Sequence, residues 1–206
     1  MTERSPASEE RRRQILAGAV RAFARKGFHA ARVGDIATEA GVAHGLLYHY
    51  FGSKEEVLRT VFSETWQALL DAVRVDVEES GTDAREQIRR LAAIVLRTWR
   101  RDPDLVRVLI REVTRTPQLL NEIDEFAEAL AAIERIVAGG QERGELRKGI
   151  PPRLAATVIY GALEEILTAW VLGQLPDGEE DVARAKQAVV AIVCDGVAAP
   201  VAAPLA

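Results

Sequence analysis

The 206-residue chain has a single cysteine, Cys194, set in an otherwise apolar stretch. One thiol cannot close an internal disulfide, which fits a reducing, cytoplasmic setting. No histidine lies beyond His49, so Cys194 has no imidazole near it in sequence. There is no nucleophile–base spacing, no metal-ligand spacing, no glycine-rich phosphate loop and no internal repeat. Enzymatic chemistry is therefore not expected, and neither is a cofactor or a metal. The start, MTERSPASEERRR, is too charged for a secretory leader. Long uncharged apolar runs are missing too. The closest, Leu154 to Gly173, carries Glu164 and Glu165 near its middle. Charges there are costly in hydrocarbon, so a buried or interface helix is expected and no membrane partner.

What is present is helical period almost everywhere, without a convincing strand or hairpin. Ser8 is expected to cap a first helix running to about residue 26, closed by Gly27. Two short helices follow at about 33–40 and 44–50. Ser53 should cap a long fourth helix to about residue 77, with Glu55 and Glu56 in its first turn where acids suit the helix dipole. Thr82 is expected to cap a helix of about 83–101. Asp102-Pro103 and Thr116-Pro117 each place proline just after a capping residue, opening helices of about 103–115 and 117–143, the latter closed by Gly144. Pro152 opens an apolar helix to about residue 173, and a last helix spans about 179–197. The fold class is all-α, with about nine helices.

Charge is divided unevenly. Residues 1–54 hold nine Lys/Arg against five Asp/Glu, a net +4, whereas residues 55–206 hold 18 against 26, a net −8. The overall charge of −4 therefore conceals a basic head on an acidic body, and only the head suits a polyanion. His29, His44 and His49 all lie in that head. His29 reads as a surface loop residue, and Arg11-Arg12-Arg13 as a solvated face that adds attraction for phosphate.

Within the head, Val33, Ile36, Ala37 and Ala40 recur at helical spacing, Gly41 stops the helix, and Leu46, Leu47 and Tyr50 carry apolar groups on the next. Two helices across a short glycine turn can be a plain core motif or can present the second helix to the DNA major groove. In the second case Ala43, His44, Gly45 and Leu46 open the helix whose N-terminal residues face base edges. Gly45 admits close backbone approach, and Leu46 reaches a thymine methyl. Tyr48 and His49 reach phosphates, and Lys54 meets one at the start of the fourth helix. Tyr50 and Phe51 supply core.

The stretch GFHAARVGDIATEAGVAHGLLYHYFGSKEEVL resembles the DNA-binding head of the TetR family of bacterial regulators, over about 45 residues. The resemblance implies a three-helix helix-turn-helix domain at 8–54 and a helical ligand-binding and dimerisation domain at 55–200. It also implies a homodimeric repressor, released from a palindromic double-stranded operator by a small hydrophobic effector. Two positions depart from the family pattern. Arg32 stands where threonine or serine usually caps the second helix; it can meet a phosphate but cannot cap. Ala43 stands where serine is common.

In the body, Trp99, Leu105, Leu109, Phe126, Leu130, Tyr160, Leu163, Leu167 and Trp170 are candidates for a pocket between helices, with Arg111 and Glu164 as its polar groups. Each could equally be ordinary core. ERGELRKGIPPRLAATVIYGALEEILTAWVLG is similar to the C-terminal region of TetR regulators of fatty-acid degradation, which implies long-chain acyl-CoA as effector. The last two helices are expected to form the dimer interface, with Ala183, Val189, Val190, Ile192 and Val193 as a second apolar stripe. Three alternatives remain open: a helical lipid- or thioester-binding protein or enzyme, a protein-binding adaptor, and an activator.

Overall fold

In the computed structural model the described residues are 6–115 and 124–195, and they form nine α-helices with no strand among them. They are α1 (Pro6–Lys26), α2 (Val33–Ala40), α3 (His44–Tyr50), α4 (Lys54–Asp76), α5 (Ala84–Arg101), α6 (Pro103–Arg115), α7 (Asp124–Glu142), α8 (Pro152–Val171) and α9 (Glu179–Asp195). A single 3-10 turn, Glu78–Ser80, precedes α5. The chain forms two compact units. Among the described residues, one contains 6–71, 98–115 and 124–129, the other 72–97 and 130–195.

The caps explain most helix ends. Gly27, Gly41, Gly144 and Gly173 all take positive φ, the left-handed conformation in which glycine alone avoids a Cβ penalty. Ser53 Oγ accepts the Glu56 amide at 3.1 Å, and Glu56 accepts the Gly52 amide at 2.7 Å. Asp102 Oδ1 accepts the Leu105 amide at 2.9 Å, ahead of Pro103 at the first helical position. Two expected caps are corrected. Thr82 does not cap α5; Asp83 does, accepting the Glu86 amide at 2.8 Å. Ser8 lies inside the first turn of α1, because the helix begins at Pro6, and its hydroxyl meets the Tyr50 hydroxyl at 3.2 Å. The expected helix start at Thr116-Pro117 lies outside the described residues, as does the end of the last helix beyond Asp195.

The first unit is built around α1. Ile15, Ala19, Ala22 and Phe23 are buried with Ile36 of α2, Leu47 of α3, Val57 and Phe62 of α4, and Val108 of α6. The closest approach is at Gly18, where an added Cβ would stand 2.6–2.8 Å from the backbone and Cβ of Ala40. Only glycine lets α1 and α2 touch there. Ion pairs close the edges: Glu39 receives both Arg21 and Arg25, and Lys26 meets Asp35 at 2.7 Å.

The second unit buries Ile88, Leu91 and Leu96 of α5, Ile133, Ile136 and Val137 of α7, Ile159, Leu163 and Trp170 of α8, and Val182, Val189 and Val190 of α9. Gly140 allows α7 to pass Ala84, whose Cβ would lie 2.6 Å from an added methyl. Arg85 and Asp195 form a two-pronged ion pair at 2.5 and 2.8 Å, tying α5 to α9. By length and composition alone α8 is apolar enough to cross a membrane, yet only 28% of that stretch is buried within the chain. It leaves Leu154 56% and Val158 59% exposed. The stripe expected on α9 is divided: Val189 and Val190 face the chain's own core, and Ile192 is 54% exposed.

Candidate nucleic-acid interface

Helix α2 ends at Gly41, whose φ is 66°, and the Val42 amide returns to the Ala37 carbonyl at 3.0 Å. After this turn α3 runs for seven residues. Leu47 is its buried anchor, with no exposed surface, and Phe51 follows it into the core. Anchoring one side defines the other. Ala43, His44, Gly45, Tyr48 and His49 are exposed, and Leu46 is half-buried. All the residues expected near bases or phosphates on this helix therefore lie on or beside one outward face. His44 and Tyr48 pack ring edge to ring face, centroids 5.6 Å apart. Ala43 provides no side-chain cap.

Gly45 is informative for what surrounds it. A Cβ built there meets nothing within 4 Å. Nothing within the chain requires glycine at this position, and glycine inside a helix is worth roughly 0.5–1 kcal/mol less than alanine.

At Arg32 the structure refines the expected weakness. Arginine has no acceptor, and its side chain makes no cap. The reverse half of a capping box is present instead: Asp35 Oδ2 accepts the Arg32 amide at 2.9 Å. The Lys26 ammonium, and then the Arg32 amide, hold the Asp35 carboxyl below the usual carboxylate range. The Arg32 side chain is left exposed.

Lys54 is half-buried. Its Nζ donates to the carbonyls of Phe28 at 3.0 Å, His29 at 3.3 Å and Ala31 at 3.2 Å, and lies 4.6 Å from the centre of the Phe28 ring. An ammonium has three hydrogens, and three carbonyls receive them. A phosphate contact requires Lys54 to release one. This clamp on the α1–α2 loop is matched from α6, where Glu112 Oε1 accepts the Phe28 amide at 3.3 Å. Glu112 is 1% exposed, and its other oxygen has no hydrogen-bond partner. Nothing at the sequence level marked Glu112, Gly18 or Gly140, since their roles depend on which helices meet.

The expected pocket residues divide between the units. Trp99, Leu105, Leu109, Arg111 and Phe126 belong to the first; Leu130, Tyr160, Leu163, Glu164, Leu167 and Trp170 belong to the second. Trp99 is buried, with the Arg107 guanidinium 5.4 Å from its ring centre. Leu105, Leu109 and Phe126 pack against the head core, and Phe126 meets Trp66 edge-on at 5.4 Å. Arg111 Nη1 donates to the Ala24 carbonyl at 3.1 Å. The Trp170 indole N–H is bonded to the Pro176 carbonyl at 3.0 Å, which gives it a structural task. Burial, and then the neighbouring Glu165, push the Glu164 carboxyl upward, and burial followed by Glu164 pushes the Tyr160 hydroxyl upward. Burial also raises the Cys194 thiol, away from the thiolate a nucleophile needs.

A core-anchored helix behind a glycine turn, its polar face outward on a basic head, defines a helix-turn-helix DNA-binding protein. Residues 15–61 match the family described as bacterial regulatory proteins, tetR family, and residues 62–196 match the YsiA-like protein, C-terminal region. The chain belongs to the TetR family of bacterial transcriptional regulators, which are not enzymes. It is 29% identical over 186 residues to the fatty acid metabolism regulator protein of Bacillus subtilis strain 168, covering 89% of this chain and 94% of that one. Among solved structures it is similar to the fatty acid degradation regulator FadR from Bacillus halodurans, at 29% identity and a TM-score of 0.83, covering 95% of this chain and 98% of that one. It is also similar to FadR from Bacillus subtilis in complex with stearoyl-CoA, at 28% identity and a TM-score of 0.80, covering 90% and 99%.

Proposed function

We propose that this regulator is a cytoplasmic homodimeric repressor, released from a palindromic DNA operator by a long-chain acyl-CoA. The observation that carries DNA reading is the outward face of α3, above all the open space around Gly45. Ala43, His44, Gly45 and Leu46 lie near base edges in this reading. Tyr48, His49 and Arg32 meet phosphates, and Lys54 does so after releasing one carbonyl. The division of labour falls at Lys54, although that residue packs within a larger compact unit.

The effector reading rests on the likeness along nearly the whole chain to a protein solved with stearoyl-CoA. In this reading Leu130, Tyr160, Leu163 and Leu167, all of the second unit, supply apolar lining for the acyl chain. For the dimer, the support is α8, which leaves the apolar side chains of Leu154 and Val158 exposed. A second copy would cover Leu154, Val158 and the exposed Ile192 together. Two copies would also present two α3 helices to successive major grooves, about 34–36 Å apart.

The test begins with a duplex that the wild-type protein selects from a random DNA pool. Gly45→Ala should fold at least as stably as the wild type, gaining roughly 0.5–1 kcal/mol in the helix. It should lose at least roughly ten-fold in affinity for that duplex, a difference of about 1.4 kcal/mol. Tyr48→Phe should lose a few-fold. Unchanged affinity for both variants contradicts the assigned interface.

A further inference from the structure

We propose that the cleft between α1, α2 and α6 binds the phosphate groups of the effector, the nucleotide half of an acyl-CoA. This rests on the acyl-CoA reading above and adds where the charged end is held. The cleft is open and has a volume of roughly 460 Å³. Four guanidinium groups line it: Arg21 and Arg25 from α1, Arg107 and Arg111 from α6. Two carboxylates, Glu39 of α2 and Asp104 of α6, face them. The cleft therefore carries two more positive charges than negative ones, in a chain whose overall charge is −4.

Arg21 and Arg107 are held in place without being used up. Arg21 turns Nε and Nη2 to Glu39, with Nε 3.4 Å from its carboxylate. Arg107 Nη1 lies 2.7 Å from Asp104, and its guanidinium lies over the Trp99 ring. Arg111 is turned toward α1 by the Ala24 carbonyl. A guanidinium has five N–H donors in a rigid fork, so Arg21 and Arg107 keep donors beyond the bonds that orient them. Planar forks fixed in this way match phosphate oxygens in pairs and bind them more strongly than neutral donors do. A pyrophosphate with an additional ribose phosphate, the charged half of CoA, offers several such oxygens.

DNA is the less suitable occupant. The outward residues of α3, namely Ala43, His44, Gly45, Tyr48 and His49, do not line this cleft. The position of the cleft also gives the ligand a route to the head. Its walls are two head helices on one side and α6 on the other. Helix α6 buries Val108 in the head core and holds the Phe28 amide through Glu112. An anion gripped from both sides fixes α6 against α1, and with it the loop that leads into α2. Binding then biases the head through differential contacts, which is the condition for coupling two sites.

The experiment uses the full-length protein and three probes: palmitoyl-CoA, S-palmitoyl-pantetheine, which lacks every phosphate, and 3′-phosphoadenosine 5′-diphosphate. Calorimetry on the wild type should show palmitoyl-CoA binding at least roughly ten-fold tighter than palmitoyl-pantetheine. In an Arg25→Gln/Arg107→Gln variant that difference should fall to within about two-fold, with palmitoyl-pantetheine affinity and ligand-free affinity for DNA unchanged. Arg107→Lys should restore part of it. The proposal is overturned if the variant keeps the full preference for palmitoyl-CoA. It is equally overturned if the variant loses palmitoyl-pantetheine just as much, which marks a merely structural role. Loss of ligand-free DNA affinity would assign the cleft to the DNA backbone instead. Inorganic phosphate competing as well as 3′-phosphoadenosine 5′-diphosphate would make it a site for free phosphate. If neither palmitoyl thioester binds the wild type, the acyl-CoA reading itself fails, an outcome distinct from all of these.

Discussion

At the scale of single residues, the head depends on positions whose roles differ from their appearance. Lys54 looks like a phosphate ligand at a helix start, and the structure shows it binding three carbonyls of the α1–α2 loop. Lys54→Ala should therefore destabilise the head by about 1–3 kcal/mol, since charge-assisted bonds to partly buried carbonyls are lost. Thermal melting checks this without DNA present. A variant that melts like the wild type but loses DNA affinity would restore Lys54 as a simple phosphate ligand. Gly18→Ala should also destabilise, by about 1–3 kcal/mol, because one methyl must force α1 and α2 apart at Ala40. The contrast with Gly45 is physical: one glycine is required by packing, the other is not. Sequence shows both as glycines in helices. Their different roles depend on what stands opposite, which only the packed structure reveals.

At the scale of elements, the helices were legible because their punctuation is local. Gly41, Ser53 and Asp102-Pro103 act on backbone groups within four residues, so pattern and structure agree there. Where the competing capping residues are adjacent, as with Thr82 and Asp83, sequence does not decide between them; the geometry chose the carboxylate. At the start of α2, Asp35 supplies the reverse half of a capping box by accepting the Arg32 amide. Its folded pKa lies below its ordinary value, so its contribution is complete above the carboxylate range. It is lost as pH falls through the lowered pKa. Asp35→Asn should lower head stability at neutral pH and flatten the acid limb of a melting-temperature profile. Glu164 has the opposite sign. Its pKa is raised by burial, so the folded state holds the proton more tightly and stability falls as pH rises above the ordinary glutamate range. Glu164→Gln should raise the melting temperature at pH 8 and have little effect at pH 4. Equal effects at both pH values would remove Glu164 from this account.

At the scale of the whole molecule, the basic head and the acidic body were visible in the charge split, and the TetR family membership followed from the motif. The compact units were not visible. The head core extends through α6, because Val108 and Glu112 complete it across more than eighty residues of chain. Long-range partnership of this kind leaves no local mark, which is also why the expected pocket residues fell into two units. The uncovered apolar surface of α8 belongs at this scale. Leu154→Lys/Val158→Lys should give a folded monomer by sedimentation and should reduce DNA affinity by at least roughly ten-fold, since one recognition helix is then lost from each complex. A double variant that stays dimeric would place the interface elsewhere.

DNA reading coupled to release by a ligand is the core of the proposed function. Its most direct test is the affinity of the wild-type protein for its selected duplex, measured by fluorescence anisotropy with and without saturating palmitoyl-CoA at one fixed salt concentration. The expected result is sequence-specific binding that weakens at least roughly ten-fold when the ligand is added, a coupling of about 1.4 kcal/mol or more. Failure to select any duplex, or an affinity that palmitoyl-CoA leaves unchanged, would contradict it.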